Sequence, residues 1–427
     1  MHLYNLIYWC FILVFVYCAG SVGYLLLLSL AGRLFSRKRM DRLQADPQKR
    51  RIAVLVPAYK EDGIILSTAR NLLQQVYPAD RYRVYILADS FQPETVEALR
   101  SLPQPNASPT NASPTNASRT NALPLEVLEV AFDKSTKTKS LNEAFRRIDE
   151  SWDIALICDA DNMLAPNFLE RINAAFGAGA RAVQGRRVAK NLDTSFAVLD
   201  ACSEAINNHI FRKGTYSLGL SSAVIGSGMA FEYERVRRIL GEISAVGGFD
   251  KILQLQVVRE GVRIHYLEDA LIFDEKVDNP HAFEQQRKRW VSSQFIYLRR
   301  FFGPAFLQLF KGNLSYFNLA VANNLVLPRA FLFALLPLVT IAGFFLSMGW
   351  GLAGAGLIVL YGCALLLGIP RSMYNRELGI AVLRLPKAVA IMVGTVFHIR
   401  KSNKTFIHTV HTKTEVSNSL YKEPANK

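Results

Sequence analysis

Two tracts without a single charged side chain decide what this chain can fold into. Met1 to Gly32 contains no Asp, Glu, Lys or Arg, and a second charge-free tract runs from Ala330 to Pro370. At about 1.5 Å per residue, Leu6 to Leu30 is long enough to cross a bilayer as one helix. The second tract has room for two spans of roughly 20 residues each, with Met348-Gly349-Trp350-Gly351 as the expected turn. A buried core helix is the less favoured reading of either tract. The first is also a poor cleaved signal peptide, because Met-His-Leu-Tyr-Asn carries no Lys or Arg and the apolar part is too long. Positive charge follows it instead, at Arg33, Arg37, Lys38, Arg39, Arg42, Lys49, Arg50 and Arg51. The positive-inside rule then puts the N-terminus outside and everything from residue 33 in the cytoplasm. A bacterial inner membrane is the expected setting.

Fifty Lys plus Arg against 35 Asp plus Glu leave a formal net charge of +15. The basic clusters flank apolar tracts, at 33–51, Arg287 to Arg300 and Arg400 to Lys404. That placement suits anionic lipid headgroups and a polyanionic substrate rather than nucleic acid. Cys10, Cys18, Cys158, Cys202 and Cys363 fall in apolar or helix-like segments without metal-ligand spacing. They read as unpaired structural residues of a reduced compartment.

Between residues 51 and 275, β-type apolar runs alternate with amphipathic stretches. Arg51 to Pro57, Arg83 to Ala88, Leu125 to Val130 and Asp153 to Cys158 read as strands. Asp62 to Gln75, Lys137 to Glu150 and Pro166 to Phe176 read as helices. Such alternation predicts an α/β fold with a mostly parallel sheet covered on both faces. Ligands bind beyond the carboxyl ends of the strands in such sheets, where Asp89 and Asp159 lie. Residues 106 to 120 are three near-identical pentads, Asn-Ala-Ser-Pro-Thr twice and then Asn-Ala-Ser-Arg-Thr. With nothing to bury, they predict a surface loop without a catalytic role. Phe295 to Phe317 mixes aromatics with Arg299, Arg300 and Lys311, a composition for helices in the membrane interface. Residues 386–399 are apolar but short, and are expected to form an interfacial or re-entrant helix rather than a further span.

Four groups of residues carry chemistry. A divalent cation bridging two phosphates needs one or two hard carboxylates, and Asp159-Ala-Asp161 offers two on a turn after a buried strand; an ordinary polar turn is the alternative. Lys137, Lys139 and Asn142 open a helix, where amide groups and the dipole favour phosphate, although a solvated basic face has the same composition. Gly247-Gly248-Phe249-Asp250 places a carboxylate at a helix start, as a general base or as a cap, and capping is the commoner fate. Gln286, Arg289 and Trp290 share one helix face. They suit stacking on a sugar ring and contact with a diphosphate, or anchoring of a membrane-surface helix.

With these motifs in this order, the chain resembles the membrane-bound family 2 glycosyltransferases, the group that includes hyaluronan, chitin and cellulose synthases. The resemblance covers roughly residues 51 to 300 and the flanking membrane topology. Val54-Leu-Val-Pro-Ala-Tyr-Lys-Glu61 is similar to the family's opening strand and nucleotide-contacting loop, and Asp89 matches its nucleobase-contacting acid. Lys137 through Asn142 is similar to Gly-Lys-x-x-Ala-Leu-Asn, with Thr136 in place of the usual Gly. Asp159 and Asp161 match the metal motif, and Gln286, Arg289 and Trp290 match Gln-x-x-Arg-Trp. Phe249-Asp250-Lys251 carries one acid where the family has two, and polymer-secreting relatives have more than three spans.

The resemblance implies an A-type glycosyltransferase (Rossmann-like) domain and inverting transfer of a sugar from a nucleotide-sugar, UDP by analogy, to a saccharide acceptor. Chain growth into a polysaccharide is one expectation, and transfer of one sugar to a lipid-linked acceptor is the alternative; a carbohydrate transporter or an inactive nucleotide-sugar-binding scaffold ranks lower. The implied donor-binding residues are Pro57, Ala58, Glu61, Asp89, Lys137, Asn142 and Asp159. Asp161 and Asp159 would hold Mg²⁺ or Mn²⁺, and Asp250, Gln286, Arg289 and Trp290 would be catalytic. Membrane lipids are expected partners, with a secretion or assembly protein allowed for. The expected organisation is a transmembrane helix at 1–32, a basic linker at 33–50 and a catalytic domain at 51–298 with the low-complexity loop at 103–122. Interfacial helices at 299–323, two transmembrane helices at 324–370 and a basic C-terminal region at 371–427 complete it.

Overall fold

The computed structural model describes residues 2–35, 43–103, 124–243, 248–276, 280–383, 389 and 411–421. The three pentads at 106–120, Gly247, the basic cluster Arg400 to Lys404 and all of 386–399 except residue 389 lie outside the described residues. The chain divides into two compact units. One gathers Lys38–Leu192, Ser222–Lys276 and Phe406–Lys427; the other gathers Met1–Arg37, Asp193–Ser221 and Val277–Thr405. The first unit therefore gains a C-terminal segment that lies far from 51–298 in sequence, while 193–221 clusters with the apolar helices.

The first unit is built on eight strands: β1 Ile52–Tyr59, β2 Tyr82–Asp89, β3 Leu125–Val130, β4 Ile154–Ile157, β5 Met163–Leu164, β6 Ala182–Ala189, β7 Met229–Glu232 and β8 Ile264–Asp274. They form one mixed sheet in the order β3-β2-β1-β4-β7-β6-β8-β5. The strands β3, β2, β1 and β4 run parallel, as the alternation of strands with helices predicts. Ile52 to Val56 and Ile154 to Ile157 are buried throughout, and full burial of such side chains contributes about 1.5–3 kcal/mol each.

Pro57 sits in β1, a central strand, where its missing amide hydrogen would normally break the ladder. It does not, because β4 has already ended. The Leu55 carbonyl accepts from Cys158, and Ile157, the last residue of β4, pairs with Leu55. Pro57 faces the same side two residues further on, past the last β4 partner.

Strand direction then collects the polar residues at one edge. Parallel pairing brings Tyr59 opposite Asp89, with the end of β4 beside them. β7 is antiparallel to β4, so its first residue, Met229, pairs with Ile157. The loop ahead of β7 therefore emerges where β4 ends. β6 is antiparallel to β7 and β8 is parallel to β6, with Ala189 opposite Asp274. Their carboxyl ends reach the same edge.

Among the described residues, the second unit contains three helices long and apolar enough to cross a membrane: His2–Leu34, Arg329–Leu346 and Met348–Gly368. The expected turn at Met348–Gly351 is shorter than the sequence suggests. Ser347 alone is extended (φ −166°, ψ 158°) and its hydroxyl accepts from the Trp350 amide at 3.2 Å. One side-chain cap thus ends one helix and starts the next. A single helix, Pro280–Phe310, runs through the 298/299 position expected to separate the catalytic domain from the interfacial helices, and Phe302, Leu307 and Phe310 are exposed on it.

Polar contacts fasten these helices together. Ser29 Oγ donates to the Ala364 carbonyl at 2.7 Å, and His209 Nε2 lies 2.8 Å from the Ser29 carbonyl. Tyr24 hydroxyl reaches Asn318 Oδ1 at 2.7 Å, and Arg329 donates to Ser203 Oγ at 2.6 Å. Gly214, at the end of the π-helical turn Asn208–Gly214, permits the closest backbone approach. A Cβ there would stand 2.2 Å from the Leu28 carbonyl oxygen. Gly214→Ala is expected to force those backbones apart at about 1–3 kcal/mol, lowering the apparent unfolding midpoint of detergent-extracted protein by roughly 3–10 °C. An unchanged midpoint would show that the contact yields without strain.

Candidate active site

The carboxyl edge of the first unit holds the acids and lysines that the sequence singles out. Beyond β1, Lys60 takes a left-handed backbone (φ 56°), and beyond β2 so does Ser90 (φ 59°). Non-glycine residues avoid this region, and such strain gathers at functional sites. The Lys60 amide donates to the Asp89 carbonyl at 3.1 Å, which ties the two turns together. Asp89 is 1% exposed; its Oδ1 accepts from Ser90 Oγ at 3.0 Å, and its buried Oδ2 has no hydrogen-bond partner. A buried acceptor left open costs about 1–3 kcal/mol, so Asp89 Oδ2 is free to accept a hydrogen bond.

Beyond β4 the chain turns through Asp159, Ala160 and Asp161. Asp159 Oδ1 is paired with the Lys137 ammonium. Lys137 also donates to the Gly226 carbonyl at 2.7 Å and lies 5.3 Å from the Phe249 ring centroid. It opens the helix Lys137–Arg147, whose N-cap is Thr136; the threonine hydroxyl accepts from the Lys139 amide at 3.2 Å. The family's usual glycine is therefore replaced by a capping side chain with extended backbone (φ −143°). Asp250 joins the same cluster: a Cβ at Gly226 would meet the Asp250 Cβ at 3.8 Å. It lies in the first turn of the helix Phe249–Arg259, whose cap position is Gly248 at φ 64°. Asp250 is thus not the helix cap.

Asp161, on the same turn as Asp159, is also buried. Loss of solvent drives its carboxyl above the usual range, helped by Asp274 and Asp159 and opposed by His411 and Lys190. His411 Nε2 lies 3.7 Å from Asp161 Oδ2, and its Nδ1 lies 3.1 Å from Glu61 Oε1. Burial disfavours the charged imidazole, but Asp161, Glu61 and Glu275 outweigh it and raise His411 to about 9. Lys190, fully buried, donates to the Asp161 carbonyl at 3.0 Å. Desolvation pulls its ammonium below the ordinary lysine value against Asp161, Glu275 and Asp274.

His411 arrives on a strap, residues 411–421, that no sequence motif announces. The Thr412 and Lys413 amides donate to Glu275 at 3.2 and 3.0 Å. Ser417 donates to the Lys190 carbonyl at 3.0 Å and Asn418 to the Ala189 carbonyl at 2.7 Å. The Tyr421 ring stands edge-on to Phe273 at 5.2 Å, and its hydroxyl accepts from Asn71 at 3.1 Å.

Two expected donor residues stand apart from this cluster. Asn142 donates to the Leu240 carbonyl at 3.0 Å, tying its helix to the end of Tyr233–Gly241. Ala58 is buried within β1. Gln286, Arg289 and Trp290 lie on the helix Pro280–Phe310 of the other unit, and their side chains fall outside the described residues.

Among the described residues no three His, Cys, Asp or Glu side chains cluster to cage a metal unaided. The donor set nevertheless fits a hard divalent cation that completes its shell with phosphate oxygens and water. Two carboxylates follow β4, Asp159 and Asp161, and burial raises the carboxyl of Asp161.

A mixed sheet that gathers acids and a helix-opening lysine at one edge is the architecture of an A-type glycosyltransferase. Residues 47–293 match the family described as "Glycosyltransferase like family 2", and the chain belongs to that family. No curated protein matches it in sequence. Among solved structures, the fold is similar to the mannosyltransferase PcManGT from Pyrobaculum calidifontis, determined with GDP-Man and Mn²⁺. That likeness has TM-score 0.52 and 18% identity, covering 92% of this chain and 99% of that one. S. aureus TarS 1–349 with UDP is more distant, at TM-score 0.36 and 15% identity over 56% of this chain and 63% of that one. At these identities the likeness to the mannosyltransferase bears on the fold alone.

The strap generates a prediction. Tyr421→Ala removes the ring on Phe273 and the acceptor for Asn71, so protease cleavage within 411–421 is expected to quicken several-fold. Tyr421→Phe, which keeps the ring, is expected to stay near the native rate. Native-like cleavage of Tyr421→Ala would show that the ring does not hold the strap.

Proposed function

We propose that this protein is an inverting, metal-dependent glycosyltransferase. It moves a sugar from a nucleotide-sugar, UDP in our reading, to a saccharide acceptor at the cytoplasmic face of a membrane. The observation that carries the proposal is the convergence of Lys137, Asp159, Gly226 and Asp250 at the carboxyl edge. One cluster there holds a phosphate-seeking cation, a metal-seeking acid and a candidate base.

Each residue has a part in the transfer. Asp89 accepts an N–H from the nucleobase, beside Pro57 and Ala58 near the end of β1 and Glu61 in the turn that follows. Lys137 faces the diphosphate from a helix start, where the amide dipoles add to its charge. Asn142 supports that helix. A divalent cation held by Asp161 and Asp159 would supply positive charge to the departing diphosphate. Asp250 takes the proton from the acceptor hydroxyl as that oxygen attacks the anomeric carbon from the face opposite the diphosphate. Gln286, Arg289 and Trp290 close over the diphosphate and the acceptor sugar. We assign catalysis to 51–298, with the apolar helices keeping it at the bilayer. Processive growth to a polysaccharide is our primary reading; transfer of one sugar to a lipid-linked acceptor is the second, favoured by the presence of three candidate spans among the described residues.

Two experiments test this. Detergent-extracted protein is incubated with labelled UDP- and GDP-sugars, and the products are sized. Transfer from a UDP-sugar that fails in EDTA is expected, and a ladder of products separates chain growth from single addition. Transfer at full rate in EDTA would remove the metal, and preference for a GDP-sugar would remove UDP.

The second experiment separates the base from the clamp. Asp250→Asn keeps size but cannot take a proton, so turnover should fall about 10²- to 10⁴-fold with donor binding unchanged. Trp290→Ala should weaken binding and turnover together. Equal loss of donor affinity in both variants would make Asp250 a residue that shapes the pocket.

A further inference from the structure

The turn Asp159–Asn162 is held by a chain of buried groups that the transfer chemistry does not use. Asn162 and Ser227 are both fully buried. The Asp159 amide donates to Ser227 Oγ at 2.9 Å, and that hydroxyl donates in turn to Asn162 Oδ1 at 2.5 Å. Asn162 Nδ2 donates to Asp274 Oδ1 at 3.1 Å, and Asp274 Oδ2 accepts from the buried Lys276 ammonium at 2.7 Å. Every link has one allowed direction. Ser227 spends its only hydrogen on Asn162, and that fixes which end of the Asn162 amide meets the carboxylate.

The chain ties together three loop-side ends at the carboxyl edge: Asp274 ends β8, Ser227 precedes β7, and Asn162 lies between β4, which pairs with β7, and β5, which pairs with β8. A second tie runs alongside it: Lys190 donates its amide to the Asp274 carbonyl at 2.8 Å and its ammonium to the Asp161 carbonyl. Ser227 itself has little room to move. Gly226 and Gly228 on either side hold positive φ, at 85° and 57°. A Cβ at Gly228 would fall 1.8 Å from Ile272 Cδ1.

We propose that Ser227, Asn162 and Asp274 are positioning residues. They set the backbone of the Asp159–Asp161 turn so that both carboxylates are aimed before any ligand arrives, and none of the three touches substrate. The inference rests on the reading of Asp159 and Asp161 as the acids that face metal and diphosphate. Alignment in advance is what makes a pair of carboxylates bind rather than merely attract. Groups that orient metal-facing side chains through hydrogen bonds typically change affinity or activity about 10- to 100-fold when lost.

The test uses the full chain in detergent and two readouts, Mn²⁺ affinity by paramagnetic resonance and the split between kcat and donor KM. Ser227→Ala leaves the Asp159 amide without its acceptor and should weaken Mn²⁺ binding and kcat each about tenfold or more, with a native elution profile. Ser227→Thr keeps the hydroxyl and should restore most of both. Asn162→Asp sets a carboxylate against Asp274 and should match the Ser227→Ala loss, which gives a second route if one variant does not fold. Asp161→Asn is measured in parallel. If Asp161→Asn loses Mn²⁺ while Ser227→Ala and Asn162→Asp keep native affinity and kcat, the positioning chain is overturned and the metal reading stands. Native Mn²⁺ binding in Asp161→Asn would overturn the metal reading itself. A Thr variant as impaired as Ala would show that packing rather than the hydroxyl matters, which also overturns the proposal.

Discussion

A strand inside a mixed sheet must find partners for its amides on both sides, and polar side chains collect where that demand lapses. β1 shows where it lapses: β4 ends opposite Leu55, so a proline is tolerated two residues later. From there the chain carries Lys60, Glu61 and a left-handed backbone instead of more apolar strand. The same lapse at the end of β4 releases Asp159 and Asp161. Reversal of β7 then delivers Gly226 and Ser227 to the place the parallel strands have vacated. The candidate site follows from strand directions before any side chain is considered.

Electrostatics govern what can stand at that edge. Burying a lone carboxylate or ammonium is prohibitive, whereas an opposed set is tolerable when its hydrogen bonds are met. Asp161, Asp274, Glu61 and Glu275 face Lys190, Lys276 and His411 at distances between 2.7 and 3.7 Å where contacts are direct. Lys190 is held below its ordinary value and His411 above it. The difference is one of company. Lys190 spends its contact on a neutral carbonyl, while His411 lies between two carboxylates.

The parts legible in the sequence were those with a strong local pattern. β1 and β4 are nearly continuous apolar runs and β2 and β3 are rich in β-type apolar residues, and the expected strands fall within two residues of the observed ones at every boundary. Asp89, Asp159 and Lys137 were legible because strand ends and helix starts have their own signals. β6 was not, since Ala182–Ala189 carries Gln184, Gly185, Arg186 and Arg187 in a strand whose register shifts at Gly185/Arg186. β5 has two residues, too few for any period. Asn142 was read as a phosphate contact because its helix start looks right, yet its amide serves a neighbouring helix. The strap was illegible for a different reason. His411, Asn418 and Tyr421 have partners more than 100 residues away, and no local composition reports such contacts.

That separation has a consequence for biosynthesis. A ribosome delivers β8 well before it delivers His411, with the helices Arg329–Leu346 and Met348–Gly368 translated in between. At about 5–20 residues per second the interval is roughly 7–27 s. The sheet can form during that interval, but Glu61 and Asp161 wait for their imidazole until the last stretch of described chain emerges. The described helices long and apolar enough to cross a membrane are therefore all synthesised before the segment that completes the acidic edge.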